Sequence, residues 1–234
     1  RVICAFPKLN KNYSTNFILN ILNSLLRDSR KVRGASLLSF HDLSSKLLDF
    51  SQQVNCTSSL LYFLIADIKD FYHSIDRSNL FNILNDFLPE MFICRGYSAF
   101  NLLTKTTSKF NTFSLKNIYS SCYENLTECM NNSLKRIRNS IIVDTASAKK
   151  YPKRNIISMI MHILDSCCFS INNTIYKLTT GVPQGLKISG VLANIYLSHL
   201  EYMNLGPLLS SNLKIKDSLL IRWSDDYLFI TSSF

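Results

Sequence analysis

Two adjacent carboxylates, Asp225 and Asp226, lie between two apolar runs near the end of the printed sequence. The runs Leu219–Trp223 and Tyr227–Thr231 are rich in aromatic and branched residues, which predicts a β-hairpin with both acids at its tip. Ionised neighbours repel each other, and a divalent cation such as Mg²⁺, which prefers oxygen ligands, is the usual compensation. Most Asp-Asp pairs are only solvated turns. The pair therefore points to chemistry only if the chain supplies a third carboxylate and a polymer-binding surface.

The candidate third carboxylate is Asp67, which follows the apolar run Leu60–Ala66. A continuous apolar run of this length predicts a strand buried on both faces. An acid at the carboxyl end of such a strand is well placed for chemistry. Asp76 is expected to cap the next helix, whose apolar positions are Leu80, Ile83, Leu84 and Phe87.

A glycine-containing loop, residues 179–189, separates these acids in the sequence. Gly181, Pro183 and Gly185 favour a specific loop whose bare backbone can approach a flat ligand closely, and Gln184 can donate and accept hydrogen bonds. A helix is predicted behind it from Ile188 to Tyr202, and the free N–H groups at a helix start favour phosphates or base edges.

Composition permits a polyanionic partner. The 234 residues are 47% hydrophobic and 18% charged, with a net charge of +10, so a sizeable core is expected and global disorder is not. The charge suits nucleic acid or an anionic membrane surface, although a merely basic globular protein would also carry it.

No apolar run is long enough to span a bilayer. The seven cysteines show no zinc-binding spacing, which favours reduced thiols in an intracellular protein. Because the sequence starts with Arg1 rather than Met, we expect a piece of a longer protein.

The remaining elements must position the acids. Helical spacing predicts helices over about residues 15–28, from a Ser39 cap to Gln53, and around residues 156–167; residues 1–6 and 175–178 read as short strands. Residues 90–150 are less patterned and hold many lysines and arginines. We expect an inserted helical subdomain with a basic face there, and a solvated surface is the alternative.

A strand-end Asp, a Gly-Val-Pro-Gln-Gly loop and an Asp-Asp hairpin, in this order in a basic chain, indicate two-metal nucleotidyl transfer. Two Mg²⁺ ions are expected, with Asp67 and Asp225 bridging them, Asp226 adjacent, and the backbone carbonyl of Ile68 as a further ligand. The arrangement resembles the palm of a reverse transcriptase. The resemblance implies that the ring of Tyr72 blocks a ribose 2′-hydroxyl and so selects deoxynucleotides. The alternative is that Tyr72 is only a half-buried packing residue.

Within reverse transcriptases the chain resembles the telomerase reverse transcriptase family over nearly its whole length. The similar segments are Arg1–Lys8, Arg33–Asp42, Asp67–Asp76, Thr180–Glu201 and Leu220–Thr231, and residues 90–150 fit the insertion that this family carries in its fingers domain. The resemblance implies nucleotide contacts from Arg1, Tyr72, Gln184 and Gly185, and nucleic-acid contacts from Lys8 and Arg222. His73 and Leu186-Lys187 depart from the family pattern, so local template or sugar packing can differ.

The implied fold is α+β: a right-hand polymerase palm, with an antiparallel sheet packed on helices, part of the fingers and a helical insertion. The implied parts are fingers at 1–59, the first palm strand and helix at 60–89, the fingers insertion at 90–150, and palm with loop and hairpin at 151–234.

The implied activity is RNA-directed DNA polymerisation by telomerase, which extends chromosome 3′ ends in the nucleus. The implied partners are a telomerase RNA template, a single-stranded telomeric DNA primer, deoxynucleoside triphosphates, and an RNA-binding domain and thumb in the rest of the polypeptide, with no membrane. We do not expect this piece to polymerise alone. The alternatives are a retroelement reverse transcriptase, including a Penelope-like one, and a non-catalytic RNA-binding scaffold of the same fold.

Overall fold

The computed structural model describes residues 3–5, 15–28, 34–54, 60–101, 114–120, 140–205 and 218–232. The chain divides into two compact units, one formed by Arg1–Leu84 with Ile163–Phe234 and the other by Asn85–His162. Helices and antiparallel sheets are mixed, which confirms the α+β prediction. Among the described helices, none has the length and apolar character needed to cross a bilayer.

The first unit begins with strand β1 (Ile3–Ala5) and helices α1 (Thr15–Asp28) and α2 (Phe40–Gln53). Strand β2 (Tyr62–Asp67), the short helix α3 (Phe71–Ser74) and helix α4 (Arg77–Phe87) follow. The second unit contains β3 (Met91–Asn101), β4 (Ser114–Ser120) and β5 (Ser140–Pro152). Helix α5 (Lys153–Asp165) leads back to the first unit and to β6 (Cys168–Ile171), β7 (Thr174–Lys177), α6 (Ser189–Asn204), β8 (Ser218–Trp223) and β9 (Asp226–Thr231).

The predicted helices form where local signals place them. Ser39 caps α2, because its side chain accepts a hydrogen bond from the Asp42 N–H at 3.2 Å. The apolar stripe of α1 is buried, with Ile18, Ile21 and Leu22 fully inaccessible, and α1 contacts α6. Asp76 accepts from the Ser78 N–H at 2.9 Å at the start of α4, as expected for a cap.

The sheet that carries the acids has the strand order β2-β9-β8, and all its pairs are antiparallel. Helix α2 covers part of it, since Phe50 and Val54 pack with Ile230 and with half-buried Leu219 and Leu228. The prediction that β2 is buried on both faces is wrong. In the described part of the chain this strand is at the edge of the sheet and pairs only with β9, and Leu64 and Ile65, on its two faces, are 64% and 76% exposed.

A second sheet of the first unit has the order β1-β6-β7. Strands β6 and β7 form a tight hairpin whose turn residues Asn172 and Asn173 both have positive φ, as a primed turn requires. Strand β1 lies within the strand predicted at residues 1–6, and β7 lies one residue before the strand predicted at 175–178.

The described residues of the expected insertion form strands, where the sequence predicts helices. In the second unit, the described residues between 91 and 152 form a three-stranded antiparallel sheet in the order β4-β3-β5. Branched and aromatic residues in β3 and β5 favour extended backbone, and pairing over the length of β3 outweighs their scattered local pattern. Many of the basic residues expected on this insertion, including Lys105, Lys109 and Arg136, lie outside the described residues.

Candidate active site

The strand register places two of the three predicted carboxylates opposite each other. Asp67, the last residue of β2, pairs with Asp226, the first residue of β9, and Asp226 also pairs with Trp223 of β8. Directly opposite residues of antiparallel strands share a face of the sheet. Asp225 stands one residue away in the two-residue connection from β8, where Ser224 has φ +60°. We call residues 223–226 the aspartate turn.

Among the described residues, no protein group compensates the charges of the three acids. Asp67 and Asp226 are exposed and Asp225 is half-buried. Within the described part of the chain, none of their carboxylates forms an ion pair or hydrogen bond with protein. Nor do the described residues contain a group of three His, Cys, Asp or Glu side chains gathered around one metal position. The donor set nevertheless fits Mg²⁺, which binds through one or two carboxylates and completes its shell with water and substrate phosphates.

Arg222 lies behind the aspartate turn, on the opposite face from Asp226, and is completely buried. Its Nε donates to Glu201 Oε1 at 2.5 Å, its Nη1 to Asn194 Oδ1 at 2.7 Å and to the Ser224 carbonyl at 3.0 Å, and its Nη2 to Ser198 Oγ at 3.2 Å. The expectation that Arg222 contacts nucleic acid is therefore wrong for this structure, because protein atoms surround its guanidinium and use its donors.

Glu201, near the end of α6, connects Arg222 to two further segments. It is 8% exposed, its Oε2 accepts from the Ala35 N–H at 2.7 Å, and its Oε1 accepts from the Tyr227 hydroxyl at 2.8 Å. Burial, and then the neighbouring Glu201 charge, raise the pKa of the Tyr227 hydroxyl well above its usual range, so Tyr227 stays a donor. The sequence shows Glu201 only as an acid late in a helix. An isolated acid and an isolated arginine in two apolar elements are the signal that the two pair.

The glycine loop lies against Tyr72. The Val182 N–H donates to the Tyr72 carbonyl at 2.8 Å, and Gly181 has φ +67°. A side chain at Gly181 would place its Cβ 2.6 Å from that same carbonyl oxygen, so only glycine fits. Tyr72 is half-buried, while Gln184 and Gly185 are exposed. The structure thus brings Tyr72 and the Gln184 loop together, as a shared nucleotide site requires.

Arg77, which sequence reasoning missed, holds the same loop. Its Nε donates to the Gly181 carbonyl at 2.7 Å and its Nη2 to the Leu178 carbonyl at 3.0 Å, while its Nη1 lies 3.3 Å from Asp165 Oδ1. A lone arginine at the first turn of a helix carries no sequence signal for such contacts. Arg77 satisfies two loop carbonyls that would otherwise need water.

The other predicted residues have mixed outcomes. Ile68 directly follows β2 and is half-buried, next to Asp67. Arg1 and Lys8 lie outside the described residues, so their expected roles stay predictions. Of the family departures, Leu186 is buried in the core, and Lys187 donates to Asn16 Oδ1 at 3.0 Å on the surface.

Comparison with known proteins finds similar telomerase reverse transcriptases. No protein-family model matches the chain. It is 26% identical to telomerase reverse transcriptase of Oxytricha trifallax, over 96% of the chain and 22% of that protein. It is 27% identical to the Tetrahymena thermophila enzyme of the same name, over 96% of the chain and 25% of that protein. The chain thus spans about a quarter of the length of these relatives.

Solved structures show the same fold. Apo telomerase from Candida tropicalis superposes with a TM-score of 0.57 at 21% identity, over 94% of the chain and 31% of that protein. Telomerase from Candida albicans, in complex with a TWJ fragment of telomeric RNA, has a TM-score of 0.57 at 19% identity, over 94% and 30%. The chain is thus similar over nearly its whole length to telomerase reverse transcriptases, and the order of its acids and its glycine loop supports an interpretation as a piece of such a protein.

Proposed function

We propose that this chain forms the fingers and palm of an RNA-directed DNA polymerase of the telomerase type, which adds telomeric repeats to chromosome 3′ ends by two-metal nucleotidyl transfer. The observation that carries the proposal is the register of Asp67 opposite Asp226, with Asp225 one residue away and no compensating protein group in the described residues. Facing carboxylates without a basic partner favour cation binding.

Asp67, Asp225, Asp226 and the backbone carbonyl of Ile68 would hold two Mg²⁺ ions. When bound, these ions would lower the pKa of the primer 3′-hydroxyl and offset the charge of the triphosphate. The residues need not form a closed cage, since substrate phosphates supply further oxygens to Mg²⁺. The chain itself contributes the fixed positions of the acids at the ends of paired strands.

Tyr72 and the loop of Gln184 and Gly185 would receive the incoming deoxynucleotide. Tyr72 is half-buried and its backbone carbonyl accepts from the Val182 N–H, and its ring would exclude a ribose 2′-hydroxyl. The exposed backbone at Gly185, where a Cβ would meet nothing within 4 Å, leaves room for a base or sugar. From the resemblance, Arg1 would contact the triphosphate and Lys8 the nucleic acid.

The proposed partners are an RNA template, a single-stranded telomeric primer and deoxynucleoside triphosphates. The net charge of +10 favours such polyanions, and a structural neighbour is a telomerase bound to a fragment of telomeric RNA. Because the chain covers about a quarter of its relatives, an RNA-binding domain and a thumb would come from the rest of the polypeptide. Action on chromosome ends places the proposed enzyme in the nucleus, at telomeres.

Primer extension by the full-length protein with its RNA tests the proposal. Asp67→Asn and Asp225→Asn should each lower extension by more than about a hundredfold, since even outer-shell changes at metal sites cost about 10–100-fold. Asp49→Asn, which removes an equal charge from an exposed site on α2, is the matched control and should keep wild-type activity. Near-wild-type extension by both site variants would overturn the metal assignment and favour a non-catalytic scaffold.

A further inference from the structure

We propose that Glu201 and Arg222 are positioning residues that fix the aspartate turn, and that residues 34–37 help to hold these two residues in place. The effect on nucleotide addition rests on the proposed polymerase function, whereas the effect on the turn itself does not. Neither residue touches substrate in this proposal. They act through the backbone that carries Asp225 and Asp226.

The direct link to the turn is the hydrogen bond from Arg222 Nη1 to the Ser224 carbonyl, at 3.0 Å. Ser224 has φ +60°, a conformation that non-glycine residues adopt at a cost and keep only when their surroundings hold it. Its carbonyl belongs to the peptide that joins it to Asp225. A guanidinium fixed beneath that carbonyl therefore sets the direction in which the chain enters the two acids.

Glu201 fixes the guanidinium in turn. The Nε bond to Glu201 Oε1, at 2.5 Å, pairs two groups that are almost fully removed from water. Asn194 Oδ1 and Ser198 Oγ accept from the remaining nitrogens, so contacts from one side of α6 define the plane of the Arg222 side chain. Breaking one half of a buried pair leaves an uncompensated charge, which favours the intact arrangement strongly.

Residues 34–37 hold Arg222 and Glu201 through further hydrogen bonds. The Arg222 N–H donates to the Ala35 carbonyl at 3.0 Å and the Leu37 N–H donates to the Arg222 carbonyl at 2.9 Å, which adds a short parallel bridge to the free edge of β8. Ala35 also donates to Glu201. Gly34, with φ +55°, lies so close that a Cβ there would collide with Glu201 Oε2.

The segment 34–37 therefore reaches both members of the ion pair and the strand leading to the turn. Any displacement of this segment must break its bonds to Glu201 and to the backbone of Arg222 together. In the first unit, a structural path of direct bonds thus runs from residues 34–37 to the Asp225-Asp226 backbone.

Arg222→Lys in the full-length protein with its RNA is the main test. Lysine keeps the charge, but its three donors radiate from one nitrogen and do not reproduce the planar guanidinium, whose Nε holds Glu201 while Nη1 holds Asn194 and Ser224. We expect kcat per titrated active site for single-nucleotide addition to fall about 10–100-fold, with KM for the deoxynucleotide changed less than about threefold. Amide exchange in a peptide covering residues 223–226 should become faster, with unchanged exchange in β6 and β7.

Tyr227→Phe is the milder second variant. It removes only the hydroxyl bond to Glu201 and should shift kcat and turn exchange in the same direction by a smaller factor. Asp49→Asn is the control and should change neither. A purely structural role predicts fewer active sites with wild-type kcat per site and no exchange change confined to the turn, and this result in either variant overturns the proposal.

The two proposals fail separately. If Asp67→Asn and Asp225→Asn retain extension, the polymerase assignment fails, while faster exchange at residues 223–226 in Arg222→Lys still supports positioning. If those aspartate variants are inactive but Arg222→Lys has wild-type exchange and kcat, only the positioning proposal fails.

Discussion

Arg77 donates from Nε to the carbonyl of Gly181 at 2.7 Å, although the two residues are 104 positions apart in the sequence. The bond joins the start of α4 to the loop that carries Gln184. The next residue of that loop, Val182, donates to the carbonyl of Tyr72. The loop is thus held from two sides, and its geometry beside Tyr72 follows from contacts that are distant in sequence.

Arg77→Gln should loosen this loop. It removes the donors to two loop carbonyls, which we expect to destabilise the protein by about 1–3 kcal/mol in thermal or urea unfolding. KM for the deoxynucleotide should rise several-fold in primer extension, because Gln184 and Gly185 lose their support. Asp165→Asn affects only the exposed third contact and should cost less than about 1 kcal/mol. Equal effects of the two changes would contradict the role assigned to the carbonyl contacts.

Gly181→Ala tests the close approach of the loop to Tyr72. The added Cβ meets backbone at 2.6 Å and φ is +67°, so we expect a loss of about 1–3 kcal/mol or more in the free energy of unfolding. Gly190→Ala is the matched control within helix α6, where a Cβ meets nothing within 4 Å and alanine should be neutral or stabilising by up to about 1 kcal/mol. A Gly181 variant as stable as the Gly190 variant would show that the loop relaxes freely.

Tyr72→Ala should reduce discrimination against ribonucleotides. Removing the ring opens the space where a 2′-hydroxyl would lie, and we expect the ratio of kcat/KM for deoxynucleotide over ribonucleotide to fall about 10–100-fold. Tyr72→Phe keeps the ring and should keep the ratio. Single-nucleotide extension with matched deoxy and ribo substrates measures both. An unchanged ratio in the alanine variant would make Tyr72 a packing residue only.

The Tyr227 hydroxyl makes the free energy of unfolding depend on pH in the alkaline range. Its pKa is raised in the folded protein by burial and by Glu201, against the smaller lowering effect of Arg222. The folded state therefore keeps the Tyr227 proton after the unfolded chain begins to lose it, near pH 10. The stabilisation is complete below that pH and declines as pH rises above it. Urea unfolding at pH 8 to 11 should show a steeper loss for wild type than for Tyr227→Phe, and parallel curves would contradict the assignment.

Local signals predicted much of the fold. The Ser39 cap, the apolar stripe of α1 and the β8–β9 hairpin are specified by residues within a few positions of each other, and each formed as expected. The order of Asp67, the Gln184 loop and Asp225 carried the family resemblance before any contact was known.

Non-local effects account for the rest. An apolar run predicts a strand at β2 but not its place at the edge of the sheet, which depends on which strands pair with it. The strands of the second unit are specified by pairing between segments that are far apart in the sequence. Their local residue pattern is scattered and does not reveal this pairing, and helices were expected instead. The Arg222–Glu201 pair was missed because neither residue carries a motif by itself, and the only sequence signal for it is that each charge stands alone in an apolar element. The prediction that Arg222 binds nucleic acid came from the family resemblance, which does not report that this side chain is buried.

The contact between residues 34–37 and β8 also has a consequence for how the protein folds. The pairing of β8 with β9 is local and can form in microseconds, whereas the Ala35–Glu201 bond spans 166 positions and must overcome a large loop-closure entropy. Among the described elements the hairpin is also the last to be synthesised. During translation, residues 34–37 and α6 therefore exist before it and can receive it. We expect the carboxylates to reach their final geometry at the end of folding, so that a partly folded chain does not present a finished cation site.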